Sequence, residues 1–200
     1  GEPLPVRLQG ESVAEARSAA LAHAWGDGSR LLVIDQPEQT ICLEGLEPHS
    51  HPPALSLLRG FSAPVKLELQ RGTNELLHLL ACDSDPFARW DAGQVLLRHA
   101  ALERAAGSPN DELEEGLVAA FDRILAEVGL CDANRSALMA LPGLPELEDA
   151  ALAAAGVCDP PALFQALLDL QARFGAALEE PLEHSLARCR PQWLQIWPAG

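Results

Sequence analysis

The sequence predicts an α+β chain in which a β-rich first third, read as a small sandwich or part of one, precedes an antiparallel α-helical array. Three observations support this. Short alternating runs separated by turn signals occupy the first 70 residues. From Thr73 onward, Asp85-Pro86, Ser108-Pro109 and Asp159-Pro160 each set a capping side chain before a proline whose missing N–H costs nothing in a first turn. Apolar residues beyond those starts recur at helical spacing.

The strand signals lie at Leu4–Gln9, Arg30–Asp35, Gln39–Gly45 and Pro64–Leu69. Alternation in Thr40–Glu44 and Val65–Leu69 suits half-buried antiparallel strands, with Asp35–Glu38 as a turn. Between the first two signals, Ser12–Trp25 has helical propensity and stops at Gly26-Asp27-Gly28, which predicts a short helix or a long loop. Helices are predicted over 73–82, 86–106, 110–128, 132–140 and 160–188, with a weaker one over 145–155. Phe87, Trp90, Gln94 and Leu97 form one core stripe, and Leu163, Leu167, Leu170, Phe174 and Leu178 another. The expected domains are therefore 1–71, the β part, and 72–200, the helical part. No clean internal repeat is visible, but helices of similar length joined by short turns can stack as a solenoid.

A formal charge of −15, from 29 acidic and 14 basic side chains, opposes attachment to nucleic acid or anionic lipid, so neither partner class is expected. Lys66 is the only lysine and tyrosine is absent, a composition that reads as bacterial. Cys42, Cys82, Cys131, Cys158 and Cys189 are dispersed and odd in number, which fits a reducing compartment. No apolar run approaches the roughly 20 residues that span a bilayer, and no leader pattern is seen, so a cytoplasmic location is expected.

Candidate chemistry is sparse. None of the six histidines heads a His-Glu-x-x-His motif, which would set two imidazoles one helical turn apart. His49 with His51, in a proline-rich loop, and His78 with Cys82, four apart on a predicted helix, each offer two ligands where zinc needs three or four. There is no Gly-x-Ser-x-Gly elbow and no glycine-rich phosphate loop. Asp111–Glu115 could suggest paired catalytic carboxylates, but its place in a first helical turn favours a solvated role that offsets the helix dipole. Trp193 and Trp197 read equally as a docking patch and as a terminal cap.

Three ordered stretches, Val33–Leu46, Pro52–Gln70 and Leu76–Leu97, resemble the bacterial aminopeptidase N family, zinc-dependent alanyl aminopeptidases. The similar segments are a Glu-Gln-Thr strand at Glu38–Thr40, a Phe-Ser-Ala-Pro-Val-Lys-Leu-Glu strand at Phe61–Glu68 and an Asp-Pro-Phe-x-Arg-Trp-Asp-Ala-x-Gln helix at Asp85–Gln94. Leu138–Pro142, Glu146–Glu148 and Asp159-Pro160 continue the likeness more weakly.

The resemblance implies an incomplete immunoglobulin-like β-sandwich joined to the first part of a larger helical domain. The chain would then be a non-catalytic fragment linking the parent's catalytic and helical domains. Phe61, Ser62, Ala63, Pro64, Phe87, Arg89 and Trp90 would form the structural junction. Pro64, which removes a ladder donor, would start a redirected strand over Val65–Leu69. Trp90 would pack on the sandwich, while Arg89 would reach a carboxylate or be solvated. Zinc would belong to the parent, with no cofactor, metal ligand or catalytic residue here. The family's His-Glu-x-x-His and Gly-x-Met-Glu-Asn segments have no counterpart, since the only methionine, Met139, lies in Ala137–Leu141. The implied partners are the parent's remaining domains, peptide substrates in the full-length protein alone, and self-association through bare interfaces. The alternative is a stand-alone helical interaction module using Trp193, Trp197 and the acidic faces.

Overall fold

A computed structural model describes residues 7–8, 32, 36–44, 53–65 and 67–196. The chain divides into two compact units, Gly1–Pro53 and Ala54–Gly200. In the first, β1 (Arg7–Leu8) pairs antiparallel with β2 (Leu43–Glu44), placing Arg7 opposite Glu44. The Ser12–Trp25 stretch, expected as a short helix or a long loop, and all of the predicted Arg30–Asp35 strand except Leu32 lie outside the described residues.

The α+β expectation, with its immunoglobulin-like sandwich, does not hold. Among the described residues the β structure amounts to that two-residue ladder, and the architecture is helical. Among the described residues of the alternating run at Pro64–Leu69 there is no strand. Val65, Leu67 and Leu69 are exposed rather than interleaved with an opposing sheet. The Val65 N–H instead donates to the Ala63 carbonyl at 2.9 Å, a γ-turn centred on Pro64, whose ring favours the required φ. Period-two patterning reports a segment with two unlike faces, and here the neighbouring elements are helices.

The second unit opens with an irregular segment and one 3-10 turn at Arg59–Phe61. Seven helices follow: α1 (Thr73–Cys82), α2 (Pro86–Ala105), α3 (Asp111–Ala126), α4 (Asp132–Met139), α5 (Leu144–Ala155), α6 (Pro160–Ala177) and α7 (Glu179–Ile196). Caps explain several starts. The Ala88 N–H donates to Asp85 Oδ1 at 2.8 Å, and the Ala162 N–H to Asp159 Oδ1 at 3.1 Å. At α3 the cap is Asn110, not Ser108: its Oδ1 accepts from the Leu113 N–H at 3.1 Å. The predicted helix 160–188 is two helices, parted at Leu178 (φ −114°, ψ 17°). Pro181 accounts for the break, because its ring would clash with the carbonyl of Ala177 and it has no N–H to continue the ladder.

Helix α2 is the axis of the unit and packs against α1, α3, α4, α5 and α6. Leu80, Leu96, Leu97, Leu117, Ile124, Phe121 and Leu170 are essentially inaccessible, each contributing about 1.5–3 kcal/mol of burial. Phe121 and Phe174 meet edge to face at 5.4 Å, joining α3 to α6. Gly116 permits the close approach of α3 to α1: a Cβ there would lie 2.5 Å from Leu77 Cδ1. No single helix among the described residues is long and apolar enough to cross a membrane.

The predicted solvated role for the Asp111–Glu115 run holds for Asp111, Glu112 and Glu115 but not for Glu114, which is fully buried. Arg104 donates to its Oε1 through Nε at 3.0 Å and to its Oε2 through Nη2 at 2.6 Å, and Arg173 Nε lies 2.9 Å from Oε2. The hydrogen bond to Glu114 is the main reason the Arg104 pKa is raised. One carboxylate thus ties the end of α2, the start of α3 and the C-terminal half of α6. Glu114→Ala removes the buried carboxylate the two guanidiniums share, leaving Arg173 with Asp111 at 3.0 Å and Arg104 with Asp169 at 4.0 Å, and is expected to cost about 1–3 kcal/mol in urea unfolding. A loss within about 0.5 kcal/mol would show the cluster to be dispensable.

Candidate functional site

The irregular segment before α1 is fastened to the α1–α2 turn, Asp83–Asp85, by a set of charged and hydroxyl groups. Arg59 Nη1 donates to Asp83 Oδ1 at 2.6 Å and to Ser56 Oγ at 2.9 Å, while Nη2 donates to Ser84 Oγ at 2.7 Å. The Gly60 N–H donates to Asp85 Oδ2 at 2.9 Å, so Asp85 caps α2 with one oxygen and holds the turn with the other. The Asp83 side chain is 2% exposed. A second fastening lies at the base of the segment: Arg71 Nη2 donates to the Leu55 carbonyl at 2.8 Å, and the Leu55 N–H to Glu75 Oε1 at 3.2 Å.

Of the predicted junction residues, the structure brings together Phe61, Phe87 and Trp90. Phe61 meets Phe87 edge to face at 5.2 Å, and Phe87 lies 6.0 Å from Trp90. Trp90 is 40% exposed, so the expected buried ring is not observed and its truncation should cost less than the about 3–5 kcal/mol of a fully buried aromatic. Arg89 is buried and reaches the carboxylate of Glu127 through both Nη1 (3.1 Å) and Nη2 (2.8 Å), while Nε donates to the Leu80 carbonyl at the end of α1. Ser62 and Pro64 are exposed and Ala63 half-buried, serving the γ-turn rather than a strand. Arg59, Asp83 and Glu127 were missed by sequence reasoning; the polar run Asp83-Ser84-Asp85 before Pro86 was the available signal.

Between the extended segment and α1–α2 lies a groove of about 610 Å³, lined mainly by leucine, valine and phenylalanine side chains. Catalytic chemistry is harder to place. His78 is exposed and Cys82 half-buried, and among the described residues no three His, Cys, Asp or Glu side chains are grouped to hold a metal ion. His49, His51 and Trp197 lie outside the described residues, as does the side chain of Trp193. Burial, with Glu148 and Asp159 nearby, pushes the Cys158 thiol up, and a hydrogen bond with Asp132 does the same for Cys189; neither suits a thiolate nucleophile.

The family model for a domain of unknown function with ARM repeats (DUF3458_C) matches residues 73–196. Aminopeptidase N of Caulobacter vibrioides is 36% identical over 154 residues, covering 77% of this chain and 17% of that relative. Aminopeptidase N of Escherichia coli is 29% identical over 123 residues, 60% of this chain and 14% of the relative. The crystal structure of Legionella pneumophila aminopeptidase A in complex with aspartic acid superposes with a TM-score of 0.63 over 86% of this chain and 19% of that one, at 24% identity, a likeness of fold alone. The chain therefore spans less than a fifth of each of these relatives.

Because Arg89 joins the end of α1 to Glu127 through a planar two-pronged contact, a point charge cannot replace it. Arg89→Lys and Arg89→Ala are both expected to destabilise the chain, by about 2–4 kcal/mol in chemical denaturation. Full stability in the lysine variant would show that charge, not the guanidinium fork, is what matters.

Proposed function

The chain belongs to the aminopeptidase N family as its ARM-repeat helical domain, and from that membership we propose that it is a non-catalytic scaffold, holding a helical array in register with the catalytic part of a parent aminopeptidase. The observation that carries this reading is the fastening of residues 55–60 to the α1–α2 turn through Arg59, Asp83 and Asp85. A chain that enters the array through such a clasp transmits a fixed orientation, where a free linker would not.

The parent would release N-terminal residues from peptides and would use zinc. The donors described here do not fit that metal, since His78 and Cys82 supply two ligands and no third side chain joins them. Zinc would therefore be held outside this chain, and no step of peptide hydrolysis is assigned to its residues.

Release of arylamine from an alanyl-arylamide, measured beside zinc content, tests the assignment. The expected outcome is zinc-dependent turnover by a longer protein containing this chain and none by the chain alone. Zinc-dependent turnover by the isolated chain would overturn it.

A further inference from the structure

We propose that residues 55–61 are a hinged strap: the tip at Leu58–Phe61 unlatches from the α1–α2 turn within the folded chain, while the base at Leu55 stays fixed. The two ends are held by different physics. At the base both backbone groups of Leu55 are bonded, the N–H to Glu75 Oε1 and the carbonyl to Arg71 Nη2, and the preceding Ala54 packs against the helical core. The Arg71 side chain is 10% exposed and its Nε lies 3.8 Å from Glu75, so the two holders are themselves joined. At the tip the 3-10 turn buries none of its residues, and its grip on Asp83, Ser84 and Asp85 runs through side-chain acceptors.

Three features favour opening at the tip. Leu58 and Phe61 hold left-handed backbone that their Cβ atoms disfavour, and release of the turn removes that strain. Opening also gives up little buried apolar area, since Phe61 is 59% exposed. The third feature is in the latch itself. Asp83 Oδ1 accepts from Arg59 Nη1 and from the Asp85 N–H at 2.9 Å, so one oxygen binds the strap and shapes the turn that presents Asp85 to Gly60. Asp83 Oδ2 is buried with no hydrogen-bond partner among the described residues. A buried acceptor left unmet favours any opening that admits water to it. Leu57, Leu58 and Phe61 line the same groove as Leu76, Leu79 and Ala88, which are buried, so lifting the tip moves a wall off the apolar side of α1 and α2. The strap is a conformational device with its hinge at Leu55 and its latch at Asp83.

The inference concerns the chain's own motion and holds whether or not the scaffold reading does. Native-state hydrogen exchange of the full chain in low denaturant tests it at hydrogen-bonded amides: Leu55 at the base, Gly60 and Phe61 at the tip, and Leu97 in α2 as the core reference. Gly60 and Phe61 are expected to open together, with an opening constant at least about a hundredfold larger than that of Leu97. Asp83→Asn keeps the side chain's shape and removes its charge, and should raise opening at both tip amides by about a further tenfold while leaving Leu55 and Leu97 unchanged. Glu75→Ala should raise exchange at Leu55 and leave the tip amides as they are. A shared opening constant for the tip and Leu97 in the unmodified chain would overturn the proposal, because the segment would then leave only with global unfolding. So would a rise at Leu55 together with Gly60 in Asp83→Asn, since the strap would then lift whole, without a hinge.

Discussion

The contact between Arg59 and Asp83 is the constraint on which the geometry ahead of the helices depends. Leu58 (φ 55°) and Phe61 (φ 54°) both sit in the left-handed region with a side chain attached, and Gly60 between them has φ 62°. Left-handed backbone costs a residue with a Cβ about 1–2 kcal/mol. Such conformations persist where surrounding bonds over-determine them. Here the guanidinium of Arg59 and the amide of Gly60 are gripped by three successive residues, Asp83, Ser84 and Asp85. With the turn so fixed, Phe61 lands on Phe87, and the chain beyond it becomes the outer wall of the groove.

The same side-chain type does comparable work inside the array. Helix ends leave carbonyls without partners, and cationic side chains can satisfy them. Arg89 serves Leu80 at the end of α1; Arg135 and Arg188 serve Ile124, Leu125 and Glu127 at the end of α3. Arg104 and Arg173 converge on Glu114 between those ends. The array is therefore held by leucine layers in the middle of its helices and by guanidiniums at their tips. A chain with 14 basic residues, all but one arginine, is suited to this, because the planar fork reaches two acceptors at once.

Helix positions were legible where a local signal sets them: Asp85-Pro86 and Asp159-Pro160 mark real caps, and the stripe from Leu163 to Leu178 is largely buried. Pro181 was equally local but was read through, and one predicted helix became two. The β-sandwich expectation came from strand signals that include alternation at Thr40–Glu44 and Val65–Leu69, and its immunoglobulin-like form from the family resemblance; alternation cannot distinguish pairing with a strand from lying beside helices. The fastening was less legible still, since Arg59 and Asp83 are 24 residues apart and Arg89 and Glu127 are 38 apart. Glu114 shows the same limit: its place in an acidic first turn describes its neighbours correctly, while its own burial depends on Arg104 and on Arg173 of a distant helix.

A double-mutant cycle on Arg59 and Asp83, using Arg59→Ala, Asp83→Ala and the pair, measures directly whether this contact governs the segment. The readouts are hydrogen exchange at Gly60 and Phe61 together with global unfolding. The account predicts a coupling of about 1.5–3 kcal/mol, for a charge-assisted bond with one nearly inaccessible partner, and loss of protection at Gly60 in each single variant. Additive effects within about 0.5 kcal/mol, with protection at Gly60 retained, would contradict it.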